Sequence, residues 1–155
     1  MNPRNLLFGA LAGLTGGIVF GAMMAFMGTL PMIGKMVGSP SPVTGFLVHL
    51  VNSVIIGAAF AVVFDRTSRS TVSGLLSGLG YGGIWWILGP LTLMPLFLGM
   101  GLGVNWNAAA ATKMLPSLIG HLIYGTILGV AYVRFQGRSS DEAVIGARVS
   151  PAHGR

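Results

Sequence analysis

The sequence contains no cysteine, only three acidic residues, and no charged side chain over most of its length. Without cysteine there are no disulfides, iron–sulfur clusters or thiol chemistry, and the redox compartment is left open. No Asp, Glu, Lys or Arg occurs in residues 5–34, 36–64, 70–112 or 114–133. A soluble domain of this size needs polar helix faces, and these runs offer nothing to build them from. Enzyme chemistry is equally short of material. There is no paired carboxylate, no nucleophile beside a base, and no phosphate-cradling loop between a strand and a helix. The segment GLGYGG resembles a nucleotide loop only in its glycines, because it lies inside an apolar run.

What is present is hydrophobic sequence, 53% of the chain. Continuous apolar runs of about 18 residues or more read as membrane spans, and their lack of alternation favours helices over a barrel. The pattern predicts an all-α membrane protein with four transmembrane helices, near residues 6–30, 43–64, 72–98 and 116–134. Gly89-Pro90, Pro95 and the glycines of GMGLG predict a break near the end of the third. The first run is too long for a signal-peptide core and lacks a cleavage site, so it is read as a mature helix.

The net charge of +6 has no basic patch with interleaved aromatics behind it, which argues against nucleic acid as a partner. Its placement is more informative. Arg4, Arg66, Arg69, Arg134, Arg138, Arg148 and Arg155 fall on one side of a four-span arrangement, and Lys35 and Lys113 on the other. The positive-inside rule then places both termini in the cytoplasm. The localisation expected is a bacterial inner membrane, multi-pass. The polar segment 136–155 is expected to be a flexible cytoplasmic tail.

The chain also echoes itself. HLVNSVIIGAAFAVVF, from His49, returns as HLIYGTILGVAYVRF, from His121. FGALAGLTGGIVFG, from Phe8, is answered by SGLLSGLGYGGIWW, from Ser73. The unit is a Gly-rich helix, an outer loop and a His-bearing helix, giving tandem hairpins at 1–70 and 71–135. Two spans per unit make this a parallel internal repeat about an axis along the membrane normal. Gly9, Gly13, Gly17 and Gly21 recur every four residues, as do Gly74, Gly78 and Gly82. Such ridges of small residues let membrane helices approach closely.

His49 and His121 lie on the small-residue faces of their helices, with Asn52 and Tyr124 three residues further on. Three readings follow. A histidine can serve as interhelical glue through its ring N–H. The pair can hold haem b, or a metal such as copper, between the repeats, with Asn52 and Tyr124 as supporting groups. Or it can mark a polar pathway or small-solute site, since intramembrane ionisable residues tend to be functional. No span contains Asp or Glu, which argues against carboxylate-based ion coupling. Methionines crowd the outer ends of both hairpins, and Met23 and Met27 share a helix face. Thioethers are soft ligands that select Cu(I), and also ordinary fillers of apolar cores. Trp106 suits an interfacial anchor.

SGLLSGLGYGGIWWILGPLTLMPLFLG, VNWNAAAATKMLPSLIGHLIYGTILGVAYVRF and HLVNSVIIGAAFAVVFDR together resemble the YagU-like inner-membrane proteins. The shared order is a Gly-rich helix, a Pro-Leu turn, a tryptophan-bearing loop and a Gly-His-Leu helix. The positions that match are His121, His49, Gly120 and Trp106. The resemblance implies a bacterial inner-membrane protein loosely associated with acid stress, and it supplies no catalytic residues. This chain lacks the longer polar loops of those proteins. The function expected is therefore non-enzymatic: a binding or transport module in the lipid bilayer, or an accessory subunit in a homo-oligomer or with other membrane subunits. The alternative is an electron-transfer protein with haem b, or a copper ion, between His49 and His121.

Overall fold

A computed structural model describes residues 2–149, with side chains placed as far as Gly137. The protein is all-helical, with no strand among the described residues. In order, the elements are α1 (Pro3–Phe26), α2 (Leu30–Lys35), α3 (Pro42–Phe64) and α4 (Thr71–Leu88). A π-helical turn (Gly89–Leu93) follows, then α5 (Met94–Phe97), α6 (Ala108–Lys113) and α7 (Leu115–Val149). Polar residues start the long helices. Asn2, Ser41 and Ser70 each accept a hydrogen bond from a first-turn backbone N–H, and Pro3 and Pro42 occupy first-turn positions where no N–H partner is needed.

Three helices are long and apolar enough to cross a membrane: Pro3–Phe26, Pro42–Phe64 and Leu115–Gly137, with mean hydropathies of 1.9, 2.3 and 1.4. The third expected span begins as α4, whose serines and glycines dilute it, and is then interrupted. Pro90 has no N–H to offer the preceding turn, so the ladder widens there. Met94 N–H reaches back to the Gly89 carbonyl, and the Thr92 hydroxyl donates to Ile87 O at 2.7 Å. The helix resumes as α5 and ends at Phe97. The expected tail begins as a continuation of α7, whose backbone runs on to Val149. Residues 150–155 lie outside the described residues.

Packing pairs α1 with α3 and α4 with α7, and α1 also lies along α7. Within each pair, glycines lie against the facing helix. A methyl group on Gly9 would stand 3.1 Å from the Gly57 carbonyl carbon, and one on Gly13 2.8 Å from Gly57 Cα. Across the other pair, a methyl on Gly74 would stand 3.1 Å from the Gly129 carbonyl carbon, and one on Gly78 2.8 Å from that of Gly125. Gly17 abuts the Ser53 side chain, Gly21 the Phe46 ring, and Gly82 the His121 carbonyl. All seven of these glycines are buried. Gly34 and Gly45 similarly let α2 lie on the start of α3.

The backbones of α3 and α4 stand apart, and aromatic side chains bridge them. Tyr81 meets the rings of Phe60 and Phe64, and its hydroxyl donates to Ile56 O at 2.9 Å. Phe60, Leu128 and Tyr132 are wholly buried and form the floor of the core. Below them Asp65 gathers three elements. Its Oδ1 accepts from Asn5 Nδ2 on α1 at 2.8 Å, and from the Tyr132 hydroxyl and Gln136 Nε2 on α7 at 2.8 and 2.7 Å.

Candidate functional site

Above that floor the helices form a cavity of about 420 Å³, walled by the end of α1, α2, the middle of α3, Trp85 of α4, the π-helical turn with α5, and the start of α7. Six of the nine methionines in the chain line it: Met24, Met27, Met32, Met36, Met94 and Met114. His49 and His121 lie seven and six residues into their helices, so at 1.5 Å per residue both sit about 10 Å below the helix starts. Methionines therefore occupy the rim and histidines the depth.

The two imidazoles are bonded differently. His49 Nε2 lies 3.0 Å from the Gly17 carbonyl of α1, and His121 Nδ1 lies 2.7 Å from the Ser117 carbonyl of its own helix. A carbonyl oxygen can only accept, so these two nitrogens carry the protons. Helix-to-helix glue thus describes His49, whereas His121 bonds back into α7. The second nitrogen of each ring, His49 Nδ1 and His121 Nε2, is bound to nothing among the described residues. The Cδ2–Nε2 edge of His49 faces α1 at Gly21 and Gly17, which turns its Nδ1 away from that helix. His121 Nε2 faces Gly89 at the beginning of the π-helical turn, which also lines the cavity.

Phe20 stands between the two histidines. Its ring meets His49 edge-on at 5.3 Å between centroids and His121 at 4.9 Å. It also presses on Gly120, where any larger residue would collide with the ring. A haem held by both imidazoles needs a flat, open slot between them, and the Phe20 ring fills that interval. With Phe20 in this place, the residues present do not fit a bis-histidine haem b. Nothing in residue spacing pointed to Phe20, which comes from the other helix of the first hairpin.

Of the remaining expected site residues, Asn52 and Met27 line the cavity. Asn52 makes no side-chain hydrogen bond among the described residues. Tyr124 is buried, and its hydroxyl donates across the bundle to Ser53 O at 2.9 Å, which occupies it structurally. Met23 packs against the core beside the cavity. Phe20 and Met24 of α1 line the cavity with Met27 just past its end, at i, i+4, i+7 spacing, whereas Met23 is not among the lining residues. Trp106 lies exposed beyond the cavity, its indole N–H donating to Thr92 Oγ1 at 3.1 Å.

No carboxylate lines the cavity among the described residues. Among the described residues no three His, Cys, Asp or Glu side chains cluster as metal ligands. What the cavity offers instead is apolar surface, thioether sulfur, two imidazole nitrogens and the amide of Asn52. Comparison of the chain with protein families, with curated proteins and with solved structures finds no match.

Proposed function

We propose that the protein is a small membrane module that binds a solute in this cavity, without enzymatic chemistry of its own. The observation that carries the reading is the cavity itself. Methionines line it together with His49 and His121, each with one unengaged imidazole nitrogen. The wholly buried Phe60 and Leu128 follow one turn beyond the lining residues Ile56 and Tyr124, so we read it as a pocket closed at that end and open toward the end where the hairpins turn. A blind pocket captures; passage across the membrane would require the aromatic floor to open. Of the expected roles, binding therefore has more support than conduction, and the haem alternative has less because of Phe20.

In this reading the chain crosses a bacterial inner membrane four times, with both termini in the cytoplasm and the cavity mouth outward. Four crossings are supported by the run from Thr71 to Phe97. At 1.5 Å per residue it extends about 40 Å, more than a hydrocarbon core of about 30 Å. Duplication is supported by matched contacts: Gly9 on Gly57 is echoed by Gly74 on Gly129, and Gly13 on α3 by Gly78 on α7. The likeness to YagU-like proteins belongs to the same proposal, as do oligomeric or subunit partners on the apolar outer surface.

The test is to fill the pocket. Purified protein is screened by thermal shift against small ions and apolar or amphiphilic solutes, alongside Asn52→Trp, which puts an indole at the cavity wall. A ligand that stabilises the native chain by several degrees and loses most of that effect in the variant supports the proposal. Ligand responses identical in the two proteins, or none in either, dismiss it.

A further inference from the structure

Six of nine methionines surround one cavity that a minority of the chain encloses. Methionine often serves as a filler whose flexible side chain takes up irregular space. Here about 420 Å³ stays open among them, so filling does not account for the gathering. The other donors are equally particular. Four backbone oxygens near the cavity, those of Gly17, Ser53, Ile56 and Ser117, already accept hydrogen bonds from His49, Tyr124, Tyr81 and His121. These backbone oxygens are thus engaged, and Asn52 supplies the one unengaged side-chain carbonyl oxygen among the described lining residues, against six thioether sulfurs and one nitrogen of each imidazole. Each imidazole donates its other N–H to a carbonyl, the outer-shell arrangement that orients a metal-ligating histidine.

Building on the solute-binding reading, we infer that the cavity takes a soft monovalent cation, Cu(I) or its d¹⁰ analogue Ag(I), on methionine sulfur and histidine nitrogen. Softness follows from the donors, since thioethers select Cu(I) over hard cations. Single charge follows from the surroundings. Among the described residues all the available ligands are neutral and no carboxylate lines the cavity, and the cost of placing an ion in a medium of low dielectric rises with the square of its charge. Hard alkali ions and Ca(II) need a shell of several oxygens, where this lining offers mainly sulfur, and Zn(II) is held by three or four thiolate, imidazole or carboxylate ligands, of which the lining supplies two imidazoles. The site spans both hairpins: Met24 and His49 come from the first, Met94 and His121 from the second.

The probe is Ag(I), titrated into the purified full chain in detergent, with Cu(I) measured anaerobically by competition against a chromogenic chelator. One ion per chain is expected. The double variant Met24→Leu/Met94→Leu keeps volume and apolarity while removing two sulfurs, and should bind at least tenfold more weakly. Met100→Leu, exposed and outside the cavity lining, should bind as the native chain does. X-ray absorption of the Cu(I) complex should show sulfur with one or two imidazole nitrogens. An all-oxygen shell, failure to bind Ag(I) or to hold Cu(I) against the chelator, or undiminished binding by the double variant would each overturn the assignment. If Ag(I) fails while an apolar solute still stabilises the native chain but not Asn52→Trp, the soft-ion assignment falls and the pocket reading stands.

Discussion

At the scale of single residues, the glycines separate into two groups by what stands opposite them. Gly13 faces Gly57 backbone to backbone, whereas Gly80 on α4 has open space within 4 Å. Gly13→Leu should therefore destabilise the folded chain by about 3 kcal/mol, the upper range for forcing bulk into a packed contact. Gly80→Leu should leave it folded. Thermal unfolding followed by tryptophan fluorescence, with size-exclusion chromatography in detergent, separates the two. The four-residue spacing of Gly9, Gly13 and Gly17 was legible in the sequence because helical periodicity fixes which residues share a face. Phe20 was not. Its place between His49 and His121 depends on how one helix crosses two others, and no local pattern records a crossing.

At the scale of elements, the two hairpins join closely along α1 and α7 and loosely along α3 and α4. If the repeats are aligned as proposed, Gly16 corresponds to Tyr81 and Asn52 to Tyr124. Gly16 lets Tyr124 come in, a methyl there standing 2.9 Å from the Tyr124 carbonyl oxygen. Tyr81 fills the matching place on the other side and props α3 away from α4. One exchange of a small for a large residue thus turns a symmetric plan into a bundle with one wide seam. Asp65 ties the opposite end, through one oxygen shared by Asn5, Tyr132 and Gln136. Asp65→Leu should cost about 2 kcal/mol, because it removes the acceptor and leaves part-buried donors behind. Asp65→Asn keeps an acceptor oxygen and should retain most of that stability. Chemical or thermal denaturation of the pair gives the difference directly. The role of Asp65 was not legible in the sequence, since its donors lie 60 or more residues away.

At the scale of the whole molecule, the apolar runs predicted helices over α1, α3 and α7, and three helices of membrane-crossing length are there. The third run was legible as a broken helix from Gly89-Pro90 and Pro95, although the widened π-helical turn was not, because its hydrogen bonds follow from how the chain relieves the missing N–H. The cavity was out of reach of sequence reasoning. Its methionines are spread from Met24 to Met114, and only the fold brings them together. The proposed orientation is open to a direct check, since a chain without cysteine accepts single reporters. Lys35→Cys and Lys113→Cys should react with a membrane-impermeant maleimide applied to intact cells. Arg66→Cys should react only after the membrane is opened. The reverse pattern would invert the topology.

The glycine contacts carry a mechanical consequence. Backbone packed on backbone leaves no rotamers to absorb a displacement, so each hairpin behaves as a stiff plate. The α3–α4 seam, bridged by side chains, is the compliant joint between the plates, and residues on both sides of it line the pocket, His49 and Ile56 on α3 and Trp85 on α4. In a bilayer, lateral pressure would bear first on that joint. Pocket width, and with it the grip on an occupant, would then respond to lipid composition without any change in the residues that line it.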